Sequence, residues 1–446
     1  MKPLAALARD LAAGRVTSRQ LVEEALGRIA DESGEGARAF ISTAPDRARA
    51  TADAVDALRA AGMAPSAYAG IPIAIKDLAD VAGEVTAAGS RALADSAPAQ
   101  ADAPVVARLK AAGFVILGRT NMTEFAFSGL GLNPHYGTPK SPYDRATGRI
   151  PGGSSSGTAV AVADGMAAMG LGTDTGGSCR IPAAFCGITG YKPTASRVPL
   201  DGIVPLSTSM DSVGPLAQTV ECCAISDAVM AGDIGPLPQA RPLSGVRLAA
   251  IQDFVLNDVD EDVASGFGAA LSRLAAAGAT IVEVPFPELN DIPAINAKGG
   301  LAAAEAYAWH RGLMAQKGEL YDQRVRGRIA NGANQDAADY IDLLNHRARL
   351  IAASAARIQG FDAFVLPSVA VVPPTIASLA DDDDYVRTNI LCLRNTAVGN
   401  FLDACAISLP IHAPGEAPVG LMLQALAGED RKLFSVALAV EAALAE

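Results

Sequence analysis

Apolar residues at Leu21, Val22, Ala25, Leu26 and Ile29 recur at helical spacing just after Thr17-x-x-Gln20, which predicts an amphipathic helix opened by a capping box. A second helix is expected from Pro45 to about Ala61. Short apolar runs at residues 71–75 and 114–117 read as core strands, the second feeding the loop Gly118-Arg-Thr-Asn-Met122. Residues 158–170 are apolar and helix-favouring, and predict one buried helix. Further on, Pro236, Pro238 and Pro242 bend the chain. A strand over 246–251, a helix over 261–277 and a strand over 280–284 then form a βαβ-like unit. Residues 296–356 carry a helical pattern of variable polarity, 361–372 and 406–410 read as returning strands, and 430–445 as a closing helix. No internal repeat is evident.

The chain has 446 residues, beyond the roughly 250–300 that one core usually supports, so length alone suggests two or three domains. Half of the residues are apolar and 19% are charged, a composition that fills a large interior rather than leaving a disordered chain. A net charge of −12 with no basic stripe excludes a nucleic-acid surface. The run Asp381-Asp-Asp-Asp384 reads as a solvated connection rather than a metal site, and no metal is expected. With no leading apolar segment and no apolar run of 18 residues, a soluble cytoplasmic protein without membrane contact is expected. The cysteines at 179, 186, 222, 223, 392 and 405 show no C-x-x-C spacing, so free thiols are expected.

Two stretches carry the candidate chemistry: Pro151-Gly-Gly-Ser-Ser-Ser-Gly157 and Gly172-Thr-Asp-Thr-Gly-Gly-Ser-Cys-Arg-Ile-Pro182. Glycine at 152, 153, 157, 176 and 177 lets the backbone turn several N–H groups toward one point, as an oxyanion hole or an anion nest requires. Gly153-Ser-Ser-Ser-Gly157 also fits G-x-S-x-G, but the polar, glycine- and proline-broken segment before it is not the strand that a nucleophile elbow needs. A phosphate loop is excluded because no Gly-Lys-Ser/Thr closes either cluster. An anion-binding scaffold without catalysis is the non-enzymatic alternative. Cys179, beside Ser178, is a rival nucleophile.

Together with Gly70-Ile-Pro-Ile-Ala-Ile-Lys-Asp77 and Ala183-Ala-Phe-Cys-Gly-Ile-Thr-Gly-Tyr-Lys-Pro-Thr194, these loops resemble the amidase signature family, closely over residues 69–216 and in outline elsewhere. The resemblance implies an α/β fold: a single large domain over 1–446 with a mixed, twisted central β-sheet covered by helices on both faces. Residues 1–62 would supply N-terminal helices, 69–216 the signature core, and 296–356 a variable pocket-forming region. It implies Ser178 as nucleophile, Ser154 on a cis peptide as proton relay and Lys76 as base. Ser155, Thr175, Gly176, Gly177 and Arg180 would serve the oxyanion hole or binding, with structural use preferred for Arg180. Trp309, His310, Tyr321, Arg324, Arg326 and Arg328 are pocket candidates, although a packed helix face would explain them equally. A small-molecule amide is the implied substrate, with no cofactor and a homodimer by family habit.

For Lys76 to act as a base its amine must be neutral near pH 7, a downward shift of about 3 units from about 10.4, and burial on the apolar strand Ile73-Ala-Ile75 supplies the cause. The alternative within the same signature is the glutaminase component, the A subunit, of a tRNA-dependent amidotransferase. Ile181, standing where that component has glutamine, and a somewhat short chain argue against it.

Overall fold

The computed structural model describes residues 1–445, and one eleven-stranded sheet runs through them. Its strands are β1 (Phe40–Thr43), β2 (Pro72–Lys76), β3 (Val115–Thr120), β4 (Met169–Thr173), β5 (Thr189–Lys192), β6 (Val213–Ala217), β7 (Arg247–Ile251), β8 (Thr280–Val284), β9 (Ala363–Pro367), β10 (Cys405–Pro410) and β11 (Gly420–Ala425). The order is β1-β3-β2-β4-β6-β5-β10-β11-β9-β7-β8. β2 pairs parallel with β3 and β4, and β7 parallel with β8 and β9, whereas β4, β6, β5, β10, β11 and β9 pair antiparallel in turn. One continuous sheet, rather than two, is why the chain forms a single domain despite its length.

Alternation along the central strands gives each face its own core. Ile73 and Ile75 pack with Val106, Leu109, Val220 and Leu433 on one face, against the helices Pro104–Ala111, Val220–Ala231 and Asp430–Ala445. Ala74 packs on the other with Val22, Ala25, Ala159 and Val160, under the helices Ser18–Ala30 and Ser156–Ala163. In β7, Leu248 and Ala250 join the first face while Ala249 and Ile251 join a further cluster with Val398 and Phe401. The apolar residues number enough to fill both layers, so each central strand is buried on two sides.

The expected capping box is present, with Thr17 accepting from Gln20 N and Thr17 N donating to the Gln20 side chain. The helices Pro45–Ala60 and Glu261–Ala276 lie where periodicity places them. The helix expected over 158–170 is corrected: it spans only Ser156–Ala163, turns at Gly165 with φ 69°, and the remainder leads into β4. Gly170 in that strand gives helix Ser156–Ala163 room to lie on the sheet, since a Cβ there would come within 2.2 Å of Thr158 Cγ2. The acidic run is corrected too. Asp381 caps the helix Asp382–Phe401 by accepting from Asp383 N and Asp384 N, and the next three carboxylates occupy its first turn, where the helix dipole favours negative charge. Of the span 361–372 only Ala363–Pro367 is strand. Among the described residues no helix is long and apolar enough to cross a membrane, and all six cysteines are free and buried.

Candidate active site

The chain runs from β2 to β3 on one side and later places β4 on the other, so β2 is the point where the strand order reverses. Ligand crevices in α/β sheets form at such points, beyond the carboxyl ends of the strands. Lys76 is the last residue of β2 and Thr173 the last of β4. Lys76 Nζ lies 2.7 Å from Ser154 Oγ and 2.7 Å from Thr173 Oγ1. The side chain is fully buried, and among the described residues no carboxylate pairs with it. Burial therefore lowers its pKa to about 8, with the more distant Asp174 and Asp211 pulling weakly the other way. Asp77 does not continue the strand. Its carboxylate accepts from Arg119 Nε at 3.1 Å and Gly89 N at 3.0 Å, on a separate network.

Ser154 and Ser155 stand just before the helix Ser156–Ala163, and the Gly153–Ser154 peptide is cis. Thr123 N donates to Ser154 O at 3.1 Å and Gly153 N to Gly129 O at 2.8 Å, which fixes the first loop against residues 123–129. Ser155 N donates to Ser178 O at 3.3 Å and Ser155 Oγ to Thr173 O at 3.4 Å, so Ser155 ties the two serine loops together. Ser178 is 3% exposed, and among the described residues no hydrogen bond joins its hydroxyl to the Lys76–Ser154 pair. Hydroxyl contacts of this kind often tighten only with substrate in place.

The second loop is organised by Asp174, a residue whose role its sequence context does not reveal. It accepts from Gly177 N at 2.9 Å, Cys179 N at 3.0 Å, Arg180 Nε at 3.0 Å and Nη2 at 2.8 Å, and Asn400 Nδ2 at 3.0 Å. Burial raises its pKa, but the Arg180 charge and hydrogen bonds outweigh burial and hold it at about 2. Arg180 is wholly buried and also donates to Asn400 Oδ1 at 2.6 Å, the structural use preferred from sequence. Gly177 N–H is committed to Asp174, which leaves the N–H groups of Thr175, Gly176 and Ser178 as the candidates for one anionic oxygen. Thr175 Oγ1 donates to Asp211 Oδ1 at 2.5 Å, and burial lifts Asp211 to about 6. Burial pushes the Cys179 thiol far above its ordinary value, so the rival nucleophile has no thiolate character.

Among the pocket candidates, His310 is buried, its Nδ1 2.9 Å from Tyr321 OH and its ring edge-on to Phe125 at 4.4 Å, and burial lowers its pKa to about 4. Trp309 is 41% exposed beside it. Arg324 is held by Asp382 at 2.7 Å and stacks on Tyr385, and Arg326 points outward to Gln323. Arg328 differs: half-buried over the Phe127 ring at 4.9 Å, it makes neither ion pair nor hydrogen bond among the described residues. Thr173, Asp174, Asp211, Thr396 and Asn400 were missed from sequence. The first two lie inside the quoted motif, where alternating small polar residues were the available signal; the others come from distant segments.

The mixed α/β sheet, with two glycine–serine loops meeting at a buried lysine that has no carboxylate partner, places the chain among the hydrolases of carbon–nitrogen bonds, as the following likenesses show. The chain belongs to the Amidase family, whose match spans residues 20–434. It is 36% identical over 403 residues to the 2-amino-5-chloromuconic acid deaminase of Comamonas testosteroni, covering 90% of this chain and 87% of that one. It is 34% identical to the A subunit of the glutamyl-tRNA(Gln) amidotransferase of Chromohalobacter salexigens, over 98% of this chain and 95% of that protein. Among solved structures, a crystal structure of an amidase superposes with a TM-score of 0.90 at 31% identity, over 99% of both chains. The near-complete cover of the amidotransferase relative means that chain length does not separate the two readings.

Proposed function

We propose that this amidase cleaves a small, carboxylate-bearing amide through an acyl-enzyme on Ser178. The observation that carries the reading is the Lys76 amine, fully buried, without a carboxylate partner, and held by two hydroxyls. In its neutral form the Nζ lone pair accepts the Ser154 proton while an N–H donates to Thr173 Oγ1. Ser178 Oγ attacks the amide carbon as its proton passes to Ser154 Oγ and the Ser154 proton to Lys76 Nζ. The N–H groups of Thr175, Gly176 and Ser178 receive the oxyanion. Collapse breaks the C–N bond, and the leaving nitrogen takes the proton back through Ser154. Water then attacks the ester by the same relay and releases the carboxylate product.

The substrate class rests on Arg328 and on a relative that acts on an acid. A guanidinium half-withdrawn from water without a counter-ion is a site for a ligand carboxylate. The region 296–356 that carries it forms the pocket in this reading, with a homodimer in the cytoplasm as the working state. The second reading, the A subunit of an amidotransferase, is favoured by the likeness to such proteins over nearly the whole chain. Against it stand Ile181, buried against the second loop, and the net charge of −12.

The test is an amide panel that includes glutamine and the mono-p-nitroanilide of succinic acid, scored by ammonia or amine release with and without amidotransferase partner subunits. Glutamine preference that appears only with those partners selects the second reading. Ser178→Ala is expected to abolish turnover and labelling by a serine-directed phosphonate while Cys179→Ala keeps both. A labelled Ser178→Ala protein refutes the nucleophile, and a monomeric mass by light scattering refutes the dimer.

A further inference from the structure

The Gly176–Gly177 peptide is held at both ends by side chains from different parts of the fold. Its carbonyl accepts from Thr396 Oγ1 at 2.7 Å, and its N–H donates to Asp174 Oδ1 at 2.9 Å. A trans peptide points its C=O and N–H in opposite directions, so these two bonds fix the rotation of the whole plane. Beside these two bonds the local chain holds only the next carbonyl, Gly177 O, to which Ile181 N donates at 2.7 Å. Both flanking residues are glycines, and Gly177 sits at φ 133°, where an L side chain is strained and glycine is free to leave as easily as to stay. Thr396 is wholly buried and approaches so closely that a Cβ on Gly177 would lie 2.1 Å from its Oγ1. The same helix, Asp382–Phe401, reaches the loop again through Asn400, which binds Asp174, and holds residues 128–129 through Asn389.

A rotation of this peptide by half a turn would turn the Gly176 carbonyl onto the Asp174 carboxylate that now receives the Gly177 N–H, so the plane is confined to smaller twists, and an uncompensated twist re-aims the N–H groups of Gly176 and Ser178 on either side. Without the Thr396 bond the Gly176 carbonyl loses its anchor, and the N–H donors on either side lose their common aim at a developing oxyanion. We infer that Thr396 is a positioning residue: its hydroxyl anchors the Gly176 carbonyl and so keeps the oxyanion donors aimed before substrate arrives. The inference rests on the proposed use of the second loop as the oxyanion site, and it gives the helix Asp382–Phe401 a function that its sequence does not announce. Preorganised donors matter because losing one typically lowers turnover by about 10²–10³-fold.

The test compares Thr396→Val, which keeps the shape and removes the donor, with Thr396→Ser, which keeps the donor. Two readouts are taken on the full chain: steady-state hydrolysis of the mono-p-nitroanilide of succinic acid, and hydrogen–deuterium exchange of the segment 173–181. The valine variant is expected to lose at least about tenfold in kcat with KM within about threefold. It should also exchange faster across the segment, whereas the serine variant matches the native protein in both. Valine turnover within about threefold of native overturns the inference, as do native exchange rates or a serine variant as slow as the valine one. Turnover by Ser178→Ala would instead sink the reading of the site, and the exchange comparison would still decide whether Thr396 holds the peptide.

Discussion

Replacing Lys76 with methionine separates what the buried amine does for chemistry from what it does to the fold, and the two effects have opposite signs. In the folded protein its pKa falls from 10.5 to about 8, a differential of about 3 kcal/mol against the charged form. At pH 7 that raises the neutral fraction from about 0.03% to about 10%, roughly 300-fold. kcat/KM is therefore expected to rise with pH through one ionisation near 8 and to level above it. Stability follows the same group. Between about 8 and 10.5 the unfolded chain binds more protons than the folded one, so stability rises with pH across that window; below it the burial penalty is present in full. Lys76→Met removes the penalty of about 3 kcal/mol but leaves Ser154 and Thr173 each without a partner, at about 1 kcal/mol apiece. The variant should thus be about 1 kcal/mol more stable than the native protein at pH 7, lose that advantage by pH 10.5, and be inactive. Urea unfolding at the two pH values and a pH–rate profile from about 6 to about 10 check both halves. A native profile without an alkaline rise refutes the base, and a methionine variant less stable at pH 7 than at pH 10.5, each relative to native, refutes the electrostatic account.

Asp174→Asn strands the wholly buried Arg180 charge and should cost about 3–5 kcal/mol in urea unfolding, with activity lost at temperatures where the variant remains folded; a loss under about 1 kcal/mol would contradict its place at the centre of the loop. Arg328→Gln is expected to raise KM at least about tenfold for carboxylate-bearing amides and to leave their neutral ester analogues unchanged, and equal effects on both would remove Arg328 from substrate binding. Asp381→Ala should lower stability by about 1 kcal/mol by uncapping the helix Asp382–Phe401 without moving the pH–rate profile.

The sequence by itself determined the parts whose pattern is local. The capping box at Thr17, the βαβ unit formed by β7, helix Glu261–Ala276 and β8, and the two glycine–serine loops all follow from spacing and residue type, and the family resemblance supplied the fold around them. Several of the elements it missed share one physical cause: they are buried in a way that erases the alternation of apolar and polar positions. β4, β6 and β11 are covered on both faces, so glycine-rich or uniformly apolar segments carried no period of two. The helix Asp382–Phe401 buries Asn389, Asn395, Thr396 and Asn400 against loops rather than exposing them to water, so its polar residues blurred the stripe that would have revealed it. Lys76 and the serine loops were legible as candidates, but their meeting was not. Only the order of strands, with β4 laid beside β2, brings Thr173 and Ser154 to within 2.7 Å of one amine and removes the water that would otherwise keep that amine charged.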